Sequence, residues 1–98
     1  MRSIVFTVLA EQDLSKIADY TFSQYGIDQA RLYGEQLEAC FAALADNPVL
    51  GRSADKIETG LRRFRHKSHV IFYLPCVDEL VIVRVLHASM DFDRHFEE

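Results

Sequence analysis

The sequence predicts an α+β fold, ordered β-α-α-β-β-β, in which a curved antiparallel sheet packs against an N-terminal helical hairpin. Three observations predict it. A short β-branched run opens the chain; apolar residues then recur at helical spacing as far as residue 46, with one break at Gly26; and three strand-like runs follow Gly60. Runs of helix followed by runs of strand, without β-α alternation, place the chain in the α+β class.

Residues 3–8, SIVFTV, are β-branched and aromatic enough for a strand. Leu14, Ile17, Ala18, Phe22 and Tyr25 then recur with Glu11, Asp13, Lys16 and Asp19 between them, which predicts an amphipathic helix over 10–25. Glu11 and Asp13 suit the positive end of that helix, and Gly26 offers a left-handed stop. Asp28 reads as the N-cap of a second helix that presents Ala30, Tyr33, Leu37, Phe41 and Leu44 on one face and breaks at Asp46-Asn47-Pro48. With two or three residues between them, the helices are expected to form an antiparallel hairpin. Residues 49–60 lack periodicity and carry Gly51, Ser53 and Gly60, so they read as a loop. Strands are predicted at 61–66, 69–74 and 79–87, the last two joined by a tight turn over 75–78. The run LVIVRVL is apolar on both alternating faces except at Arg84, which marks a central strand covered on both sides. No repeat or second domain is visible.

The chain has 98 residues, 49% of them apolar and 27% charged, enough for one domain with one modest core. No window approaches the roughly 20 apolar residues of a membrane span. The opening MRSIVFTVLAEQDLSK lacks a signal-peptide core and cleavage site, so a cytoplasmic location is expected. Cys40 and Cys76 have no metal-type spacing and read as small buried or half-buried thiols. The net charge of -4 conceals an asymmetry: residues 52–69 hold six basic side chains against two acidic ones, while the flanking parts are each acidic. An acidic chain with one basic stripe points to a local anionic partner instead of general nucleic-acid coating.

Four segments then become familiar together: FTVLAEQDLSKIADY at 6–20, LADNPVLGR at 44–52, GLRRFRHKSHVIFY at 60–73 and VIVRVLHASMD at 81–91. In this order, and over most of the chain, they resemble the ParE-type toxins of the RelE/ParE superfamily, the toxin halves of bacterial type II toxin-antitoxin pairs. The resemblance implies one of two activities. RelE-like members cleave messenger RNA on the ribosome; ParE-like members act on DNA gyrase and trap its cleaved-DNA complex. Both are held inactive by an antitoxin whose flexible tail wraps the toxin, so a ParD-like antitoxin and a toxin-antitoxin hetero-oligomer are implied.

A metal-free ribonuclease must deprotonate a 2′-hydroxyl, protonate the leaving oxygen and stabilise charge on the phosphoryl group. The resemblance implies that RelE-like toxins do this with lysines and arginines on the sheet and a tyrosine after the last strand. Here Ala88 stands where an arginine would follow the strand, no tyrosine occurs after Tyr73, and His69 stands at the place of a second arginine. No catalytic residue is therefore assigned. A substitute set remains conceivable, with His87 as base, Asp91 orienting it, and Arg62, Arg63, Arg65 and Arg84 holding phosphate.

The residues expected to contact antitoxin or gyrase are Arg62, Arg63, Arg65, His66, Arg84, His87 and Asp91. Alternation puts Arg63 and Arg65 on one face of their strand and Arg62, Phe64 and His66 on the other, although charges of this kind also guard solvated edge strands. Arg84, inside an apolar strand, is expected to pair with Asp91 or an acidic helix residue, or else to reach a contact surface. Tyr20, Phe22, Tyr25 and Tyr33 read mostly as core, and the resemblance implies an apolar groove beside the hairpin for an antitoxin helix. In the tail, Phe92 and Phe96 are spaced for one helical turn docking two rings on the body. His87, Asp91 and His95 would share a face of such a helix, but nothing else in the chain completes a metal site, and no cofactor or metal is expected.

Overall fold

A computed structural model describes residues 2–96. Glu97 and Glu98, which end the predicted polar tail, lie outside the described residues. Strand β1 (Ser3–Phe6) leads into helix α1 (Val8–Tyr25) and then helix α2 (Ile27–Asp46). A 3-10 turn at Pro48–Leu50 precedes β2 (Arg52–Ser53), β3 (Arg62–His66), β4 (His69–Pro75), β5 (Glu79–His87) and the short helix α3 (Phe92–Phe96). The five strands form one sheet in the order β1-β5-β4-β3-β2.

The hairpin is tighter than expected. Gly26, at a φ of 91°, closes α1 by donating its N–H to the Phe22 carbonyl and opens α2 by accepting from Ala30. One residue thus reverses the chain, a conformation that favours glycine. Asp28 consequently does not cap α2; it sits in the first turn, where the helix dipole still favours its charge. The cap with a side chain is at α1, where the Thr7 hydroxyl accepts from the Ala10 N–H at 3.0 Å.

The sheet is mixed, not wholly antiparallel. β1 runs parallel to β5, with Ser3 opposite Glu79 and Phe6 opposite Ile82, whereas β5, β4, β3 and β2 pair antiparallel. Sequential strands joined by tight turns must alternate in direction. β1 reaches its partner through the whole helical hairpin and is free of that constraint. β5 is an interior strand with β1 and β4 beside it, as its two-sided apolar pattern predicts.

Alternation along β4 feeds two cores. Ile71 and Tyr73 face the hairpin and pack with Leu37, Phe41 and Leu44 of α2 and with Ala10 of α1. Val70 and Phe72 face the other way, with Leu61, Leu86 and the rings of α3. Phe72 receives Phe92 and Phe96 edge-on, centroids 5.1 Å and 4.9 Å away, which is the docking their spacing predicts. Buried Tyr73 donates its hydroxyl to the Pro48 carbonyl at 2.6 Å and accepts from the Gly51 N–H at 3.0 Å. A Cβ on Gly51 would collide with that hydroxyl and with the Arg63 carbonyl, so only glycine fits there.

Three further expectations are corrected. The stretch after Pro48 is not all loop, because Arg52 and Ser53 pair with Arg63 and Arg62. Tyr20, Phe22 and Tyr25 are not core: they are 62%, 56% and 66% exposed. Only the first turns of α1 lie over the sheet, through Ala10, Leu14 and Ile17, and its aromatic end runs past it. Cys76 is exposed because it begins the β4–β5 turn, while Cys40 is half-buried. Among the described residues no helix is long and apolar enough to cross a membrane.

Candidate functional site

The seven residues singled out from the sequence do not converge on one cluster. They fall on three surfaces, and the end of β5 arranges two of them.

Within β5 the register slips: Phe72 of β4 pairs with Arg84 and Tyr73 with Ile82, so Val83 is the extra residue of a β-bulge. Helix α1 satisfies the backbone groups near the bulge. The Thr7 hydroxyl donates to the Val83 carbonyl at 2.7 Å, and Asp13 accepts the Val85 N–H at 3.0 Å. The same carboxylate takes Arg84 bidentately, Nε at 2.8 Å and a terminal nitrogen at 2.9 Å. Both side chains are largely withdrawn from solvent, 14% and 8% exposed. Arg84 therefore pairs with the helix residue Asp13 and not with Asp91. The sequence marks Asp13 as a first-turn charge, although its spacing from Ala10 and Ile17 also places it on the apolar face of α1.

Past the bulge, His87 ends β5 at the mouth of a groove of about 740 Å³ between the hairpin and the β3–β4 turn. The rings of His69 and His87 meet edge-on at 5.4 Å, and Tyr33 lies between His66 and His69 at 5.7 Å and 5.5 Å. The Tyr33 hydroxyl and His69 Nδ1 are 2.6 Å apart. Burial first, then the charges of His87 and His66, hold His69 below the ordinary histidine range. The neutral ring can then accept the Tyr33 proton. Burial, and secondarily Cys40, pushes Tyr33 upward, which keeps that proton on its oxygen. His66 Nε2 lies 3.1 Å from the Gln36 side-chain oxygen, and His87 Nδ1 accepts the Ser89 N–H at 3.1 Å.

His87 and Asp91 are not partners. The turn after β5 carries Asp91 to the far side of the sheet, where its carboxylate accepts the Arg94 N–H at 3.4 Å at the start of α3. It lines a cleft there with Arg63 and Asp55. Asp55 itself accepts from the Gly60 N–H at 2.8 Å and the Ser53 hydroxyl at 2.9 Å, and these bonds, the first above all, hold its carboxyl below the usual range. The substitute acid-base set is thus not assembled. Among the described residues no group of three histidines, cysteines or carboxylates is placed to hold a metal ion.

The third surface is basic. On β3, alternation sends Phe64 to the hairpin core and His66 to Gln36, while Arg63 stands opposite Arg52 and lines a hollow of about 310 Å³ with Arg65 and Phe92. Arg62, on the hairpin side, donates to the Gly51 carbonyl at 2.6 Å. Among the described residues the ion pair within 4.0 Å is Arg84 with Asp13, so Arg52, Arg63 and Arg65 stand without a carboxylate at that distance.

Residues 4–92 match the family model described as "ParE toxin of type II toxin-antitoxin system, parDE". The chain belongs to the ParE toxin family. It is 38% identical over 87 residues to Toxin ParE1 of Mycobacterium tuberculosis strain H37Rv, covering 88% of this chain and 89% of that one. It is 36% identical over 86 residues to Toxin ParE1 of Caulobacter vibrioides, covering 88% of each. Toxin ParE of Escherichia coli is 34% identical over 92 residues, which span 93% of this chain and 89% of that one. A solved structure described as "Chromosomal ParDE TA system from P. aeruginosa" superposes with a TM-score of 0.76, covering 91% of this chain and 98% of the other; at 19% identity it shows the fold. In this ParE toxin, then, the bulge of β5 is clamped to α1, the groove begins beyond it at His87, and β3 carries the basic surface.

Proposed function

We propose that this ParE toxin inhibits DNA gyrase by binding, trapping the cleaved-DNA complex, with no catalytic residues of its own, and that a ParD-like antitoxin neutralises it. The observation that carries the reading is how the polar side chains of the site are engaged. His66, His69 and His87 are hydrogen-bonded to Gln36, Tyr33 and Ser89, Arg84 is clamped by Asp13, and the exposed side chains nearby include basic Arg65 and Lys67 and aromatic Tyr20 and Tyr25. Such a surface suits docking better than proton transfer.

The antitoxin fits as an acidic, amphipathic tail laid over β3 and along the hairpin. β2 pairs only with Arg62 and Arg63, so the outer edge of β3 from Phe64 to His66 has no strand partner among the described residues and can add one. Beside that edge lies an apolar shelf of about 310 Å³ formed by Ala39, Ala43, Leu50 and Phe64, ready for the tail's apolar side. Arg63 and Arg65 would meet its carboxylates. The P. aeruginosa relative, described as a ParDE system, supports a partner of this kind.

Induction without antitoxin tests the proposal. The expected result is cleaved plasmid trapped on gyrase with messenger RNA intact. Cut message with normal supercoiling would establish a RelE-like ribonuclease instead, and neither effect would mark a member that only binds its antitoxin.

A further inference from the structure

We propose that the groove between the helical hairpin and the β3–β4 turn is a binding site for a short stretch of single-stranded nucleic acid. This stands whether or not gyrase is the target. The chain has 15 acidic and 11 basic residues, yet among the described residues no carboxylate lines this groove, while Lys16 enters it from α1 and Lys67 from the turn. Tyr20 and Tyr25, 62% and 66% exposed in the second half of α1, line the same groove. Exposed aromatic faces beside cations are the means by which proteins hold unpaired bases and their phosphates without sequence preference.

The geometry favours a nucleic acid over an acidic peptide. A peptide binds by adding to a sheet edge or by laying a helix into an apolar trench. This groove is not a wholly apolar trench: beside Ile17, Leu32 and Met90 it presents Tyr33, His69 and His87 held in ring-to-ring contact. Rigid ring faces of this kind can flank a flat base at little entropic cost. A duplex would keep its bases stacked on each other and leave the tyrosines without partners.

Fluorescence anisotropy of the full-length toxin with labelled oligothymidylate and oligouridylate at low salt tests the assignment. Binding of at least one oligomer is expected, and the tighter of the two identifies DNA or RNA as the ligand. Tyr20→Ala and Tyr25→Ala should each weaken it about 10-fold. Lys16→Gln with Lys67→Gln should flatten the log–log salt dependence by roughly 0.7 for each phosphate no longer neutralised. Val77→Ser, in the exposed turn at the other end of the sheet, should leave binding unchanged. The proposal is overturned by failure to bind either oligomer, by binding that survives the double tyrosine variant with its circular dichroism intact, by equal affinity for duplex, or by tyrosine-dependent binding of a polyglutamate peptide at equal affinity.

Discussion

Asp13 is the residue on which most depends, because one carboxylate neutralises Arg84 and also accepts the Val85 N–H next to the bulge. Replacing it by alanine leaves a guanidinium withdrawn from water and a backbone donor without its acceptor, and should lower stability by about 3 kcal/mol or more in urea denaturation. Exchanging the pair, Asp13→Arg with Arg84→Asp, should not restore it, since arginine has no acceptor for Val85; full recovery would mean that the ion pair alone matters. His69 yields a pH prediction. Its folded pKa lies below the ordinary value near 6.5, so the unfolded chain takes up the proton first and stability falls as pH drops below about 6.5 toward the folded value. His69→Asn, which cannot titrate, should show a smaller loss of melting temperature between neutral and mildly acid pH; an unchanged loss would locate the titration elsewhere. That Arg84 requires a partner is legible from a charge inside LVIVRVL. Which carboxylate it finds is not, because Asp13 meets it only once α1 lies across the sheet.

Helices and strands are legible where periodicity speaks alone, as in α2 and β5. The departures share a cause: α1 is amphipathic for its whole length, but the sheet beneath it ends first, so its last aromatic residues face a groove that spacing cannot reveal. β2 is hidden because two residues carry no period. The tail is plainer, since Phe92 and Phe96 four apart imply one helical turn, though not that Phe72 receives both rings. α3 is thus a cover for the second core. Phe92→Ala with Phe96→Ala should cost about 2–4 kcal/mol and raise binding of a hydrophobic dye, as the far face of β4 opens to water. A double variant with native stability and no dye signal would show that the sheet face needs no cover.

Across the whole molecule, the basic segment 52–69 is visible in sequence as a net charge, but the fold divides it. Arg63 and Arg65 face away from the helical hairpin, Arg62 and His66 face toward it, and Lys67 turns into the groove. One stripe in sequence therefore serves more than one surface, which composition cannot show. The fold also has a consequence in time. β1 is the first strand to be synthesised, and its hydrogen-bonding partner is β5, at the other end of the chain. Val83 and Val85, which Thr7 and Asp13 must engage, lie there too. During translation the leading strand and helix wait for neighbours that do not yet exist, so the toxin cannot close until β5 has left the ribosome. Ribosome-bound chains halted before residue 79 should be digested readily by protease, and released full-length chains should resist; equal resistance would refute this order of events. A cell making this protein would then hold its folded form only once β5 is free to pair, so the time between the making of β1 and of β5 is a time without a closed sheet.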